Sequence, residues 1–234
     1  MNMNIEKIDK NDLIGIPPAT TCEINCIHIK IRDFKPIVEE FEKHISDTSW
    51  INNLDEISKI TFRATSQKTI DKIVNDIIAK ISTNINEDIG EFIVSYSAQL
   101  ALEMEYSHTR IPLAELLKEK ISGNPGFDYH TISTNNYIVF GEAKFSIDGT
   151  PRAKALEQIE LFINDRDSSE LLWLQPFLDP TTKANIINGE KGYAAAFSYN
   201  NTNILNTLNN AITSDPIKEI IKHKELYLIA VELC

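Results

Sequence analysis

The strongest constraint on this chain is a set of short, almost wholly apolar runs: "YIVF" at 137–140, "YAAAFSY" at 193–199 and "LYLIAVEL" at 226–233. Each has the length of a strand rather than a helix, and a strand that is apolar at consecutive positions must be buried on both faces. Helical periods, "NILNTLNNAI" and "PIKEIIKH", separate the last two runs. Buried strands alternating with amphipathic helices predict an α/β fold, a central mixed sheet flanked by helices.

The elements upstream follow from the same reasoning. "NINEDIGEFIVSYSAQLALEM" predicts a helix capped by Asn86, with Ile89, Phe92, Ile93, Tyr96 and Leu100 as its apolar stripe. A short helix at "PLAELLKEK" precedes the breaker "SGNPG", and "PRAKALEQIELFIN" and "SELLWLQPFL" are two further helices. From residue 86 the predicted order is α, β, β, α, α, β, α, α, β.

Before that point we expect an arm over residues 1–21, closed by "GIPPATT". "CEINCIHIKI" reads as a strand whose pattern changes phase near Cys26, where a bulge would account for it. "DFKPIVEEFEKHI" reads as a helix with Asp33 at its N-cap and Pro36 in its first turn, "ISKITFRAT" as a strand, and "SQKTIDKIVNDIIAKI" as a second helix. The expected division is therefore a βαβα lobe over residues 1–82 and a second domain over 83–234.

Composition narrows the partners. With 34 acidic and 23 basic residues the net charge is −11, so the chain should hold nucleic acid weakly by itself unless a local basic surface, a metal or a partner subunit compensates. No apolar run reaches the about 18 to 20 residues that span a bilayer, which predicts no membrane partner and a cytoplasmic protein. Cys22, Cys26 and Cys234 make a poor disulfide framework and fit a reducing compartment. Cys22, Cys26 and His28 would suggest zinc if a second ligand cluster followed; none does, and the lining of a strand is the simpler reading.

Chemistry enters where the apolar run at 137–140 ends in "GEAK". Charge at the end of a buried strand is costly unless compensated. If "FDYHTIS" and "YIVFGEAKFS" pair around the three-residue turn Thr134-Asn135-Asn136, Ser133 faces Tyr137 and Asp128 faces Glu142, with Lys144 beside them. A two-residue turn would slip this register by one and send Asp128 to the other face. Opposed carboxylates repel in an inert hairpin, but a divalent cation turns Asp128, Glu142 and the carbonyl of Ala143 into ligands, and the all-oxygen set favours Mg2+ or Mn2+ over zinc. Lys144 would then contact an attacking water or a phosphate oxygen. The bland alternative is a buried salt bridge with one spare carboxylate.

Asp128, followed thirteen residues later by Glu142-Ala143-Lys144 within a helix, hairpin, helix and strand frame, resembles the PD-(D/E)xK restriction-endonuclease-like nucleases over roughly residues 86–234. Within them, "GEF", "GFD" and "GEAKFS" are similar to the nuclease subunit of Hachiman anti-phage systems. The resemblance implies a restriction-endonuclease-like core in which Asp128 and Glu142 bind magnesium and Lys144 assists phosphodiester hydrolysis. It also implies a supporting glutamate, Glu91, on the helix before the sheet, a glutamine, Gln158, on the helix after it, a DNA substrate, and a helicase or ATPase subunit as partner. Phe127 stands where the family has proline, and the family's usual first strand is not evident between 107 and 125. Bland readings exist for each supporting residue: helix-dipole preference for Glu91, an amphipathic surface for Gln158, a hydrogen-bonded core position for His130, and a solvated helix face for Arg152 and Lys154. The expected function is a magnesium-dependent deoxyribonuclease of a defence or restriction system; the rival is a non-catalytic nuclease-fold scaffold or nucleic-acid sensor.

Overall fold

A computed structural model of the chain describes residues 3–77, 87–118, 126–147, 149–163, 165–200 and 203–233. Seven strands form one mixed sheet: β1 (Met3–Ile8), β2 (Glu23–Ile31), β3 (Thr109–Arg110), β4 (Tyr129–Ile132), β5 (Ile138–Lys144), β6 (Lys191–Tyr199) and β7 (Glu225–Leu233). They lie in the order β1-β2-β7-β6-β5-β4-β3. The central four, β2, β7, β6 and β5, run parallel, and β1, β4 and β3 add antiparallel pairings at the two flanks. The apolar runs that predicted two-sided burial are these central strands.

Helices cover both faces. On one face, Phe140, Ala195, Phe197 and Leu228 pack with Leu156 and Ile159 of α5 (Pro151–Phe162) and with Leu208 and Ala211 of α8 (Ile204–Ile212). On the other, Val139, Ala194, Ala196 and Ile229 meet Ile93 and Ala101 of α3 (Glu87–Tyr106) and Ile37 and Phe41 of α1 (Phe34–Ser46). The fold is thus α/β, a mixed sheet between helical layers. Further helices complete it: α2 (Glu56–Lys72), α4 (Ala114–Leu117), α6 (Asp167–Leu174), α7 (Pro180–Ile187) and α9 (Ile217–Ile220).

Three expectations for the N-terminal part are corrected. Residues 3–8, expected in an arm, form β1 along Cys26–Ile31 of β2. The strand β2 keeps continuous register with both neighbours, without a bulge near Cys26; it is interior and buried on both faces, which is why its sequence loses simple alternation. "ISKITFRAT" is helical and belongs to α2, not to a strand. Asp55 starts that helix by accepting from the N–H groups of Ile57 and Ser58. The βαβα order therefore gives way to β, β, α, α, and β2 lies beside β7, so the sheet runs across the expected boundary at residues 82 and 83. Asp33 does cap α1, accepting from the Lys35 N–H at 3.1 Å. The expected helical positions Ile78 and Ile81 and the cap Asn86 lie outside the described residues.

Two elements of the later part were not expected: β3, only two residues long, and α7, capped by Asp179, which accepts from Thr181 and Thr182.

Candidate active site

The hairpin of β4 and β5 has the register read from the sequence. Tyr129 pairs with Gly141, His130 with Phe140, Thr131 with Val139 and Ile132 with Ile138. The Ser133 N–H donates to the Tyr137 carbonyl at 2.9 Å, and Asn136 takes the left-handed φ of 58° that a tight turn demands and asparagine tolerates. One step beyond the paired residues, Asp128 leaves the ladder. Its N–H donates to the Gly141 carbonyl at 2.9 Å, and its Oδ2 accepts the Ala143 N–H at 2.7 Å. A side-chain oxygen thus stands where the next strand residue would have offered a carbonyl.

This places the carboxyl of Asp128 at the C-terminal end of β5, next to Glu142 and Lys144. Glu142 is completely buried. Lys144 Nζ forms an ion pair with its Oε1 at 2.7 Å, and Oε2 has no hydrogen-bond partner among the described residues. Burial, and then the Asp128 carboxylate, push the Glu142 carboxyl well above the usual range, against the pull of Lys144. Burial raises Asp128 as well, opposed by Lys144 and the Ala143 N–H. For Lys144, burial favours the neutral amine, but Glu142, Asp128 and Glu91 together outweigh it and hold the ammonium above the ordinary lysine range.

Glu91 comes to the site from α3, its Oε1 3.6 Å from Lys144 Nζ. Burial raises its carboxyl, and Lys144 draws it down. That approach depends on the residue before it. A Cβ on Gly90 would lie 2.2 Å from the ring of Phe145, so only glycine lets α3 lie this close to the end of β5. Gly141 does the same for Tyr129, whose ring would be 2.2 Å from an added Cβ. The Tyr129 hydroxyl is buried and has no hydrogen-bond partner among the described residues, and burial together with Asp128 and Glu142 forces its ionisation far above the ordinary range.

Among the described residues no group of three or more His, Cys, Asp and Glu side chains converges as a metal site. The donors that remain are the two carboxyls and the carbonyl of Ala143, which lies on the same side of β5 as the Ala143 N–H that Asp128 accepts. A buried carboxylate whose Oε2 has no hydrogen-bond partner among the described residues, beside a second carboxyl, makes an all-oxygen set that suits Mg2+ or Mn2+, with water completing the shell.

The other predicted residues are placed differently. Gln158 is partly buried on α5, and no described hydrogen bond joins it to Asp128, Glu142 or Lys144. Lys154 is exposed, and Arg152 is partly buried with Nη1 unpartnered. Cys22 and Cys26 are buried free thiols, their ionisation pushed up to about 12 chiefly by burial; Cys234 lies outside the described residues. His130 is fully buried, and its Nε2 meets Glu170 Oε2 at 2.7 Å.

Glu170 was not anticipated. Buried in the first turn of α6, it also accepts the Phe127 N–H at 2.9 Å and pairs with Lys118. Despite burial, His130 and Lys118 hold its carboxyl below the usual range. It therefore fixes the backbone immediately before Asp128. The only trace in the sequence is an acid pair, Asp167 and Glu170, three apart at the start of an otherwise apolar helix, a pattern that helix-dipole preference also explains.

The chain matches no protein-family model, no curated protein and no solved structure.

Proposed function

We propose that the chain is a metal-dependent nuclease that hydrolyses phosphodiester bonds of DNA. The observation that carries this reading is the meeting of Asp128, Glu142 and Lys144 at one end of β5, with the Glu142 carboxylate buried and its Oε2 without a hydrogen-bond partner among the described residues. Asp128, Glu142 and the Ala143 carbonyl would hold Mg2+ or Mn2+. The bound cation would supply Lewis-acid stabilisation of charge at phosphorus. Lys144, kept charged by three carboxylates, would exchange Glu142 for a phosphate oxygen or the attacking water, and Glu91 would orient the ammonium from the far side. Gln158 has no described hydrogen bond to this group.

The remaining parts of the reading rest on the sequence resemblance: action as the effector of an anti-phage or restriction system, in the cytoplasm, beside a helicase or ATPase subunit. Among the described residues no helix is long and apolar enough to cross a membrane. A net charge of −11 favours delivery of the DNA by a partner.

The deciding experiment incubates purified protein, alone and with the candidate partner, with DNA and Mg2+ or Mn2+. Cleavage that is lost in Lys144→Ala supports the reading; absence of cleavage under all these conditions, or an unchanged rate in the variant, refutes it. The Lys144–Glu142 pair gives the scaffold reading its own support, since it partly neutralises the site without a metal. Calorimetric titration with Mn2+ separates the two: binding that disappears in Asp128→Asn belongs to the enzyme, and no binding belongs to the scaffold.

A further inference from the structure

Beyond the C-terminal ends of β5 and β6 the surface opens into a cleft of about 430 Å3, and nothing in the catalytic reading uses it. Its walls include Ser146 after β5, Phe197 and Ser198 on β6, Arg152 in the first turn of α5, and Thr207 and Asn210 on α8. Phe197 is the register partner of Lys144, and partners in a parallel pair share a face, so the cleft starts beside the lysine on the same side of the sheet. Its floor is fixed: Ser198 Oγ accepts the Ser146 N–H and donates to the Ser146 carbonyl, both at 3.0 Å.

The charge of this cleft is unlike that of the chain. No described residue lining it is acidic, whereas acids outnumber bases by 34 to 23 in the whole sequence. Among the described residues that line it, Arg152 is the single charged side chain. The guanidinium is partly buried, burial lowers its proton affinity, and its Nη1 has no hydrogen-bond partner among the described residues. A partly desolvated guanidinium is stabilised by an anion that presents oxygens to its planar fork. The rest of the polar lining consists of hydroxyls and amides, which complement phosphate oxygens and sugar.

We propose that this cleft binds a phosphate of the nucleic-acid strand next to the scissile one, with Arg152 as its principal ligand and Ser146, Thr207 and Asn210 around the adjoining sugar. The identity of the ligand rests on the nuclease reading; the anion preference rests on the cleft alone. The cleft would hold the strand while Lys144 and the metal site act on the neighbouring linkage.

The test uses metal-free, 15N-labelled full-length protein titrated with thymidine 3′,5′-bisphosphate. Saturable shifts are expected at the amides of Ser146, Arg152 and Thr207. Arg152→Ala should weaken binding by about tenfold, the loss of a charge-assisted contact, and Asn210→Asp, at an exposed position where folding is not at risk, by about threefold. Absence of saturable binding, shifts confined to the surroundings of Asp128 and Lys144, or equal affinity in both variants overturns the proposal. The nuclease reading is judged separately by cleavage of DNA with Mn2+. Cleavage with a silent bisphosphate titration removes the cleft and leaves the nuclease, whereas bisphosphate binding without cleavage leaves an anion site and removes the nuclease.

Discussion

Glu142 and Lys144 sit two residues apart on β5, with Nζ 2.7 Å from Oε1, yet the pair leaves Glu142 Oε2 without a hydrogen-bond partner among the described residues. The arrangement is electrostatically incomplete, with two neighbouring carboxyls raised by burial and a single ammonium between three acids. A divalent cation that binds only the folded chain must raise its stability by mass action. At 100 times the dissociation constant the gain is about 2.7 kcal/mol, a shift of about 5 to 11 °C for a chain of this size. Differential scanning fluorimetry with Mn2+ should show this shift in the wild type and lose it in Asp128→Asn and Glu142→Gln. A full shift in either variant would contradict the ligand assignment.

Gly90 is a test of how α3 delivers Glu91. In Gly90→Ala the new methyl meets the Phe145 ring, which must move, and overpacking of this kind costs about 1 to 3 kcal/mol. Chemical denaturation should show that loss, and Gly90→Ala combined with Phe145→Leu should recover part of it. Recovery in the double variant marks the contact as the cause; strictly additive losses would exclude it.

Glu170 anchors the approach to Asp128 through the Phe127 N–H, His130 and Lys118. Glu170→Ala leaves a buried histidine and a lysine without their acceptor and should cost about 3 to 5 kcal/mol. Glu170→Gln keeps one acceptor oxygen and should cost less. Because the residue lies beneath the backbone rather than at the metal ligands, the glutamine variant should weaken Mn2+ binding without abolishing it, as calorimetry can measure.

His108 supplies a pH dependence remote from the site. Its Nδ1 meets Thr131 Oγ1 at 2.9 Å and its Nε2 meets the Tyr227 hydroxyl at 3.0 Å, and burial lowers its proton affinity to about 4. The unfolded chain, with an ordinary value near 6.5, binds this proton more readily. The contribution is therefore fully present above about pH 6.5 and is lost as the pH falls towards 4, by roughly 2 to 4 kcal/mol. NMR titration should find His108 neutral at pH 5.5, and His108→Gln should flatten the stability profile across that window. A histidine that titrates near 6.5 in the folded protein would contradict the assignment.

What was legible in the sequence had short-range causes. The register of Asp128 against Glu142 was readable because three polar residues, Thr134 to Asn136, interrupt two apolar strands and leave few ways to close the turn. The helix α2 was misread because "ITFRAT" alternates like a strand over a stretch too short to separate periods of 2 and 3.6. Its buried residues, Phe62, Ser66, Thr69 and Ile70, recur with helical spacing, while Ile57 and Ile60 are 76% and 71% exposed. A longer window including the serine and threonine would have shown the helix. The strand β1 was missed for a different reason: an edge strand buries little, and half of "MNIEKI" is polar, with a single buried residue, Met3. The link from Glu170 to Phe127 joins positions 43 apart and leaves no local pattern at all.

The place of β7 between β2 and β6 has a consequence for biosynthesis. Residues 225–233 close the middle of the sheet, so a nascent chain that has not yet extruded them carries two partial sheets, each with an unpaired parallel edge. The pairs from Glu23–Glu225 to Ile31–Leu233 must wait for the ribosome to deliver that segment. During this interval the hairpin that bears Asp128 and Glu142 is already made, but the layers that bury it are not complete. The cluster of Asp128, Glu142 and Lys144 is thus enclosed only once that strand is delivered, and a chain that stops before residue 225 would carry open, aggregation-prone sheet edges.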